Sequence, residues 1–154
     1  MIRVASEPFD PAGELKAYER SCETAGAVVS FLGKVRSGSK GGAVTALELE
    51  HYPGVTEKTM AKIVTEATAR WAIDEPLIIH RVGRLAPGEA IVLVAVGAAH
   101  RRDAFEAADY LMDYLKTEAM FWKKEMREDG EAWIEPRESD YNDARRWDGA
   151  KDTN

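Results

Sequence analysis

The stretch that decides the fold opens with Ala90-Ile-Val-Leu-Val-Ala-Val96, turns at His100-Arg101-Arg102 and closes with Phe121-Trp122-Lys123-Lys124. Its first part, Ala90 to Gly97, is apolar on both faces, which predicts a strand covered on both sides. The segment after it places Phe105, Ala108, Leu111, Met112 and Leu115 at helical spacing, so these side chains are expected to face inward. The last part brings aromatics and cations together on one strand. A strand that gives way to cations at a helix N-terminus is suited to holding an anion, because free backbone N–H groups and positive side chains point the same way.

Outward from this stretch the chain reads as strands alternating with helices. Ile2 to Ala5 is a short strand, and Asp10-Pro11 reads as an N-cap followed by proline at the first helical position, with Leu15 and Tyr18 on one face. Ala25 to Val35 is strand-rich and runs through Gly33-Lys34-Val35-Arg36 into Ser37-Gly38-Ser39-Lys40-Gly41-Gly42, which is either a plain hairpin connection or a mobile loop that orders over a ligand. From Val44 to Tyr52, Thr45, Leu47, Leu49 and His51 fall on one face and Glu48 and Glu50 on the other. Pro53-Gly54 is a turn and Thr56 is expected to cap a helix whose Met60, Ile63, Val64, Ala67 and Trp71 form a core-facing stripe. Pro76 to Val82 is a strand, followed by the turn Ala86-Pro87-Gly88. Asp129-Gly130, between Phe121–Arg127 and Glu131–Glu135, is a hairpin signal. From Arg137 on the chain is polar, and after Tyr141 its one large apolar residue is Trp147, which predicts a tail that frays unless a partner holds it. These elements specify an α+β or mixed α/β domain with neither repeat nor linker.

Composition narrows the function. A length of 154 residues suits one domain, and 45% hydrophobic with 31% charged residues is an ordinary globular balance. The apolar run from Ile91 to Ala99 is too short to span a membrane. The N-terminal Met1-Ile-Arg-Val-Ala-Ser-Glu-Pro lacks a signal-peptide layout, so a cytoplasmic location is expected. The net charge of −6 argues against nucleic-acid binding. Between His100 and Lys124 the five Arg and Lys residues are matched by Asp103, Glu106, Asp109, Asp113 and Glu118, so an anion site must be made locally.

The titratable residues admit bland readings beside sharper ones. One cysteine, Cys22, excludes an internal disulfide and a multi-cysteine metal site, and reads as a bystander. His51 and His80 lie within strands as structural residues, whereas His100 sits at the strand-to-helix junction beside Arg101, where the pair could bind a phosphate. The histidines show no metal spacing. Lys116 is either an exposed lysine paired with Asp113 and favoured by the helix C-terminus, or a site residue. Lys123 is either part of a solvated strand face or its companion. No Ser-His-Asp arrangement, P-loop or dinucleotide fingerprint is present.

Gly33-Lys34-Val35-Arg36, Leu49-Glu50-His51-Tyr52-Pro53-Gly54, Ala99-His100-Arg101, Met112-Asp113-Tyr114-Leu115-Lys116-Thr117 and Phe121-Trp122-Lys123-Lys124-Glu125, in this order, resemble the large, catalytic subunit of molybdopterin synthase. The resemblance spans Ile2 to Trp147 as one domain, with 148–154 outside it as a flexible tail. It implies an α+β fold of the α/β-hammerhead type with an additional antiparallel β-sheet. It implies a homodimer within a heterotetramer, carrying two small ubiquitin-like sulfur-carrier subunits, with no cofactor, metal, nucleic acid or membrane. The implied reaction converts cyclic pyranopterin monophosphate (precursor Z) into molybdopterin, installing two sulfurs that arrive as thiocarboxylates on the carrier's C-terminal Gly-Gly. With no cysteine at the candidate site the sulfur must come from a donor, and a phosphorylated substrate accounts for local cations in an acidic protein.

Carried over by matching position, Lys116 is the leading catalytic candidate and Lys123 its companion. Arg36, His100, Arg101 and Arg137 match anion-binding positions; Lys34, Val35, Lys124 and Glu125 flank them, and Phe31 and Met112 line the pocket. The edge near Phe121-Trp122 and the loop after Arg36 are expected walls for the carrier's tail. About 15 residues of presumed helix separate His100-Arg101 from Lys116, roughly 22 Å at ~1.5 Å per residue. One small substrate cannot span that distance, so a composite site is expected: Lys116, Lys123 and Arg36 from one subunit, His100 and Arg101, with Arg137 as a further candidate, from its dimer mate. The alternative is a non-catalytic module that binds a phosphopterin or docks a ubiquitin-like partner.

Overall fold

The computed structural model describes residues 1–39 and 41–151. In chain order the elements are β1 (Ile2–Ala5), α1 (Pro11–Ser21), β2 (Ala27–Lys34), β3 (Gly38–Ser39), β4 (Gly42–His51), α2 (Val55–Arg70), β5 (Leu77–Arg81), β6 (Gly83–Leu85), β7 (Ala90–Ala98), α3 (Arg101–Thr117), β8 (Phe121–Arg127), β9 (Gly130–Ile134), α4 (Glu138–Arg145) and a 3-10 turn (Asp148–Lys151). This is the α+β architecture expected. One sheet has the order β1-β5-β7-β2; the other runs β3-β4-β8-β9, with β6 pairing β4 on the edge away from β8.

β7 is central to the first sheet, and its residues from Val92 to Ala98 are buried. On one face α2 supplies Met60, Ile63 and Ala67 and α3 supplies Ala107, Tyr110, Leu111, Tyr114 and Leu115, against Ile78, Val92, Val94 and Val96. On the other face α1 lays Tyr18 and Cys22 over Leu77, Ile79, Leu93 and Ala95. Alternate residues of one strand thus feed two cores, which is why β7 needed to be apolar throughout. A third, smaller core of Val35, Leu47, Leu49 and Leu85 joins the second sheet to the segment after β2.

Several local expectations are corrected. Phe105 is 61% exposed, because the buried stripe of α3 runs through Ala104, Ala107, Ala108 and Leu111 and leaves residue 105 beside it. Thr45 is exposed although Leu47 and Leu49 on its supposed face are buried: a bulge between Val44 and Ala46 against β8 shifts the alternation, and Val44 and Ala46 on either side of it are the buried residues. Thr56 does not cap α2. The cap is Gly54, at φ +82°, and the fully buried Thr56 hydroxyl accepts from Tyr52 N and donates to the Met120 carbonyl, tying α2 to the approach of β8. In the glycine and serine segment after Arg36, β3 pairs with the start of β4 as a hairpin, while Lys40 lies outside the described residues.

The polar C-terminal segment is not frayed over its described length. α4 packs on α3, where Arg146 pairs with Asp109 at 2.6 Å and Asp113 at 2.8 Å. The Trp147 indole N–H donates to Asp113 at 2.7 Å, and its ring meets Trp71 and Tyr110 edge-on. The partner that holds this segment is the chain's own third helix. Of the expected loose tail, Asp148 accepts from the Tyr114 hydroxyl at 3.2 Å, and residues 152–154 lie outside the described residues.

Candidate active site

A cleft of about 540 Å³ opens where the end of β2, the inner face of β8, the C-terminal end of α3 and the start of α4 converge. Strand alternation selects what β8 contributes: Phe121, Lys123 and Glu125 line the cleft, and Trp122 and Lys124 point the other way. β2 and its extension supply Phe31, Lys34, Val35 and Arg36, and α3 ends with Leu115 and Lys116 at the rim. The chain between β9 and α4 closes the cleft with Glu135, Pro136, Arg137 and Asp140.

The two lysines stand in different surroundings. Lys116 is half-exposed and donates to Asp140 Oδ1 at 2.8 Å, not to Asp113, whose carboxylate is taken by Arg146 and Trp147. Lys123 has no ion-pair partner among the described residues; burial lowers its pKa, the Lys116 charge lowers it further, and Asp140 acts in the opposite direction. Burial alone would raise the Asp140 carboxyl, but the Lys116 ammonium and the Arg137 N–H bring it below the usual carboxylate range. Glu125, though it lines the cleft, is buried and committed, accepting from Ser39 Oγ at 3.0 Å and from Arg127 Nη2 at 2.7 Å. Its carboxylate therefore does not pair with Lys123.

At the back of the cleft His80 stacks on Phe121, with ring centroids 3.7 Å apart and planes 12° from parallel. Its Nδ1 lies 2.8 Å from the Arg81 carbonyl, which can only accept, so Nδ1 carries the hydrogen. Burial, with smaller contributions from Lys123 and His51, lowers its pKa to about 3, and the ring is neutral at physiological pH. The result is a cleft in which the basic residues Lys34, Arg36, Lys116, Lys123 and Arg137 outnumber the acidic Glu125, Glu135 and Asp140, with a flat, uncharged rear wall.

A second depression, about 530 Å³, lies at the other end of α3 and is lined by Gly26, Ala99, His100, Arg101, Arg102, Phe105 and Glu106. Gly26 permits the close approach that forms it, since a Cβ there would lie 2.4 Å from the Ala99 carbonyl oxygen. His100 is the N-cap of α3 and makes no side-chain cap bond, so the helix N-terminus is open to an external acceptor. His100 and Arg101 are ready anion ligands by chemistry. They do not share the cleft of Lys116.

Of the candidate residues, Phe31, Lys34, Val35, Arg36, Lys116, Lys123, Glu125 and Arg137 line one cleft. Arg137 lines the same cleft as Lys116 of its own chain, and not the depression of His100 and Arg101 with which the expected composite site groups it as a further candidate. Lys124 is placed elsewhere: it lies over the Trp133 ring at 5.3 Å and pairs with Glu131 at 3.2 Å on the outer face. Met112 packs against the helical core one turn back from Lys116 and does not line the cleft. Trp122 also faces outward, leaving Phe121 as the aromatic wall. Sequence reasoning missed His80 and Asp140. The signal for Asp140 was present in Arg137-Glu-Ser-Asp140, where an acid at the third helical position reaches back to the cap N–H at 2.8 Å. Among the described residues no group of three or more His, Cys, Asp or Glu could hold a metal ion, and no helix is long and apolar enough to cross a membrane.

Fold and site together define an α+β protein with a lysine-centred anion cleft and a separate basic helix N-terminus. The family model described as MoaE protein matches residues 4–118, and the chain belongs to that family. It is 51% identical over 146 residues to the molybdopterin synthase catalytic subunit of Yersinia pestis, covering 95% of this chain and 96% of that one. It is likewise 51% identical over 146 residues to the protein of that name from Escherichia coli K12, covering 95% and 97%. Among solved structures it is similar to the molybdopterin biosynthesis MoaE protein from Burkholderia ambifaria, with TM-score 0.81, 48% identity and 96% and 97% coverage. It is also similar to molybdopterin synthase from Staphylococcus aureus, with TM-score 0.77, 36% identity and 85% and 94% coverage.

Proposed function

We propose that this protein is the catalytic subunit of a molybdopterin synthase, a sulfurtransferase that moves two sulfurs from the thiocarboxylated C-terminus of a small ubiquitin-like carrier to precursor Z. The observation that carries the reading is the union of Lys116, Lys123 and Arg36 in one cleft, in a chain half identical to relatives that bear this name. A thiocarboxylate is an anion on a thin peptide end. The half-exposed Lys116 at the rim is the charge it meets first, and Lys123, half-buried behind it with a lowered pKa, is the group suited to moving a proton or supporting developing charge. In this reading Arg36, Lys34 and Arg137, which line the cleft, hold the substrate phosphate against the flat His80–Phe121 wall.

His100 and Arg101 lie at the far end of a 17-residue helix, roughly 22 Å from Lys116 at ~1.5 Å per residue. We therefore assign them to the cleft of a second copy: the working unit is a homodimer with a composite site at each end, each receiving one carrier. The test is to mix the purified protein with a thiocarboxylated carrier and precursor Z and measure molybdopterin. Wild type is expected to form it, and Lys116→Ala to lose at least about 100-fold, the scale of a positioned acid–base or charge group. Undiminished product from Lys116→Ala defeats the catalytic assignment. Binding of precursor Z without turnover by wild type would instead identify a binding module.

A further inference from the structure

We propose that Asp140 is the positioning residue of the lysine pair: its carboxylate, fixed by the docking of α4 on α3, holds Lys116 at the cleft rim and sustains the positive charge of Lys123 beside it. The inference rests on the catalytic reading of those lysines, and goes beyond it in giving the C-terminal helix a part in the chemistry.

The geometry is that of a fixed anion. Asp140 has a 14% exposed side chain and uses both oxygens, Oδ1 for Lys116 Nζ at 2.8 Å and Oδ2 for the Arg137 N–H at 2.8 Å. The second bond pins the carboxylate to the first turn of α4, where the helix N-terminus also favours a negative charge. The far end of α4 is fastened to α3 through Arg146 and Trp147, so the carboxylate sits at a set position relative to Lys116. A lysine on a flexible stem gains a defined orientation from such a clamp; without it the ammonium samples solvent, since it is 47% exposed.

Charge balance gives the second role. The groups that face Lys123 are Lys34 and Arg36 from β2 and its extension, His80 from β5, Lys116 from α3, Glu125 on its own strand, and Glu135, Arg137 and Asp140 from the chain entering α4. His80 is neutral and Glu125 is committed to Ser39 and Arg127. Burial and the Lys116 charge both disfavour a cationic Lys123, and Asp140 opposes them. Asp140 thus allows two lysines to share one small cleft.

The experiment uses the full-length protein and two readouts. The Lys123 titration is followed by the 13Cε shift in wild type, Asp140→Asn, Asp140→Glu and Arg146→Ala, and kcat and KM are measured in the molybdopterin assay. Asp140→Asn is expected to move the Lys123 titration to lower pH and to lower kcat on the order of tenfold to a hundredfold with KM little changed, the scale of a misplaced catalytic group. Asp140→Glu restores part of both. Arg146→Ala removes exposed pairs but keeps the Trp147 anchor of α4 and the carboxylate, and leaves the Lys123 titration in place. If Asp140→Asn does not fold, Lys116→Ala substitutes: it frees Asp140 and removes a like charge, so Lys123 must titrate at higher pH. An unmoved Lys123 titration in the variant that folds overturns the inference. Failure of the catalytic reading looks different, with no molybdopterin from wild type while the titration shifts persist.

Discussion

The two ends of α3 hold the same kinds of side chain in opposite states of completion. At the C-terminal end Lys116 is clamped by Asp140, Lys123 is half-buried behind it and an aromatic stack closes the rear. At the N-terminal end His100 and Arg101 stand beside an uncapped helix start, an exposed Phe105 and an open depression. One end is a finished half-site whose charges are mutually arranged; at the other Arg102 pairs with Glu106, while Arg101 has no ion-pair partner among the described residues. The difference teaches that helix length, not residue type, divides the labour: a rigid rod of this length keeps its two cationic ends from meeting on one small molecule.

Subunit mixing is the sharpest way to break that comparison. Lys116→Ala and His100→Ala proteins should each be nearly inactive as homodimers. If each site takes Lys116 from one subunit and His100 from the other, a randomly mixed heterodimer contains one intact site and one doubly damaged one. Statistical mixing should therefore restore about a quarter of wild-type sites, as two-fold symmetry requires. Absence of rescue after demonstrated subunit exchange, or full activity in a strictly monomeric preparation, would place both ends of α3 outside a shared site.

The finished end depends on α4, which allows a stability test. Trp147→Ala removes the edge-on contacts with Trp71 and Tyr110 and takes one of two donors from the Asp113 carboxylate, leaving it Arg146. The expected cost is about 3 kcal/mol, a fall in Tm of roughly 6–12 °C for a chain of this size, with activity falling as Asp140 leaves Lys116. Arg146→Ala, by contrast, loses surface pairs worth about 1 kcal/mol or less. Equal Tm losses in the two variants, read by differential scanning calorimetry, would show that the indole is not the anchor.

How far the sequence reveals this contrast differs between its two halves. The strand from Ala90, the helix after it and the Asp129-Gly130 hairpin were legible because period and turn chemistry are local properties. So was the separation of His100 from Lys116, which needs only helical rise. The Asp140 clamp was not legible, since Asp113 at three residues from Lys116 is the nearer partner by spacing. What diverts Asp113 is Arg146 and Trp147, more than 30 positions away, and only packing reveals that competition. Lys124 misled for a related reason: adjacent lysines on a strand face opposite ways, and sequence does not say which one the cleft takes. The bulge at Val44–Ala46 likewise leaves no mark in composition, yet it reverses the face of Thr45.

pH probes the rear wall of the finished end. His80 ionises near 6.5 when unfolded but at about 3 in the fold, where burial keeps it neutral. The unfolded chain therefore binds the extra proton between these values, so stability is full above pH ~6.5 and declines as pH falls toward about 3. His80→Phe, which keeps a ring against Phe121, should flatten this part of the urea-midpoint profile. A slope unchanged from wild type would assign the acid sensitivity to other groups.

The smallest stability effect is expected at the open end, and it sharpens the comparison most finely. Phe105 is the exposed aromatic of the N-terminal depression, so Phe105→Ala should alter the stability of the isolated chain by no more than about 0.5 kcal/mol. If a second copy or its bound substrate covers this depression, the same substitution removes apolar contact there. The expected signature is a several-fold rise in KM or weaker dimerisation with an unchanged urea midpoint. A variant identical to wild type in midpoint, KM and dimer affinity would mean that the depression stays open during turnover. A lowered midpoint in the monomer would mean that Phe105 belongs to the core after all, and the two ends of α3 would then differ less than their exposure indicates.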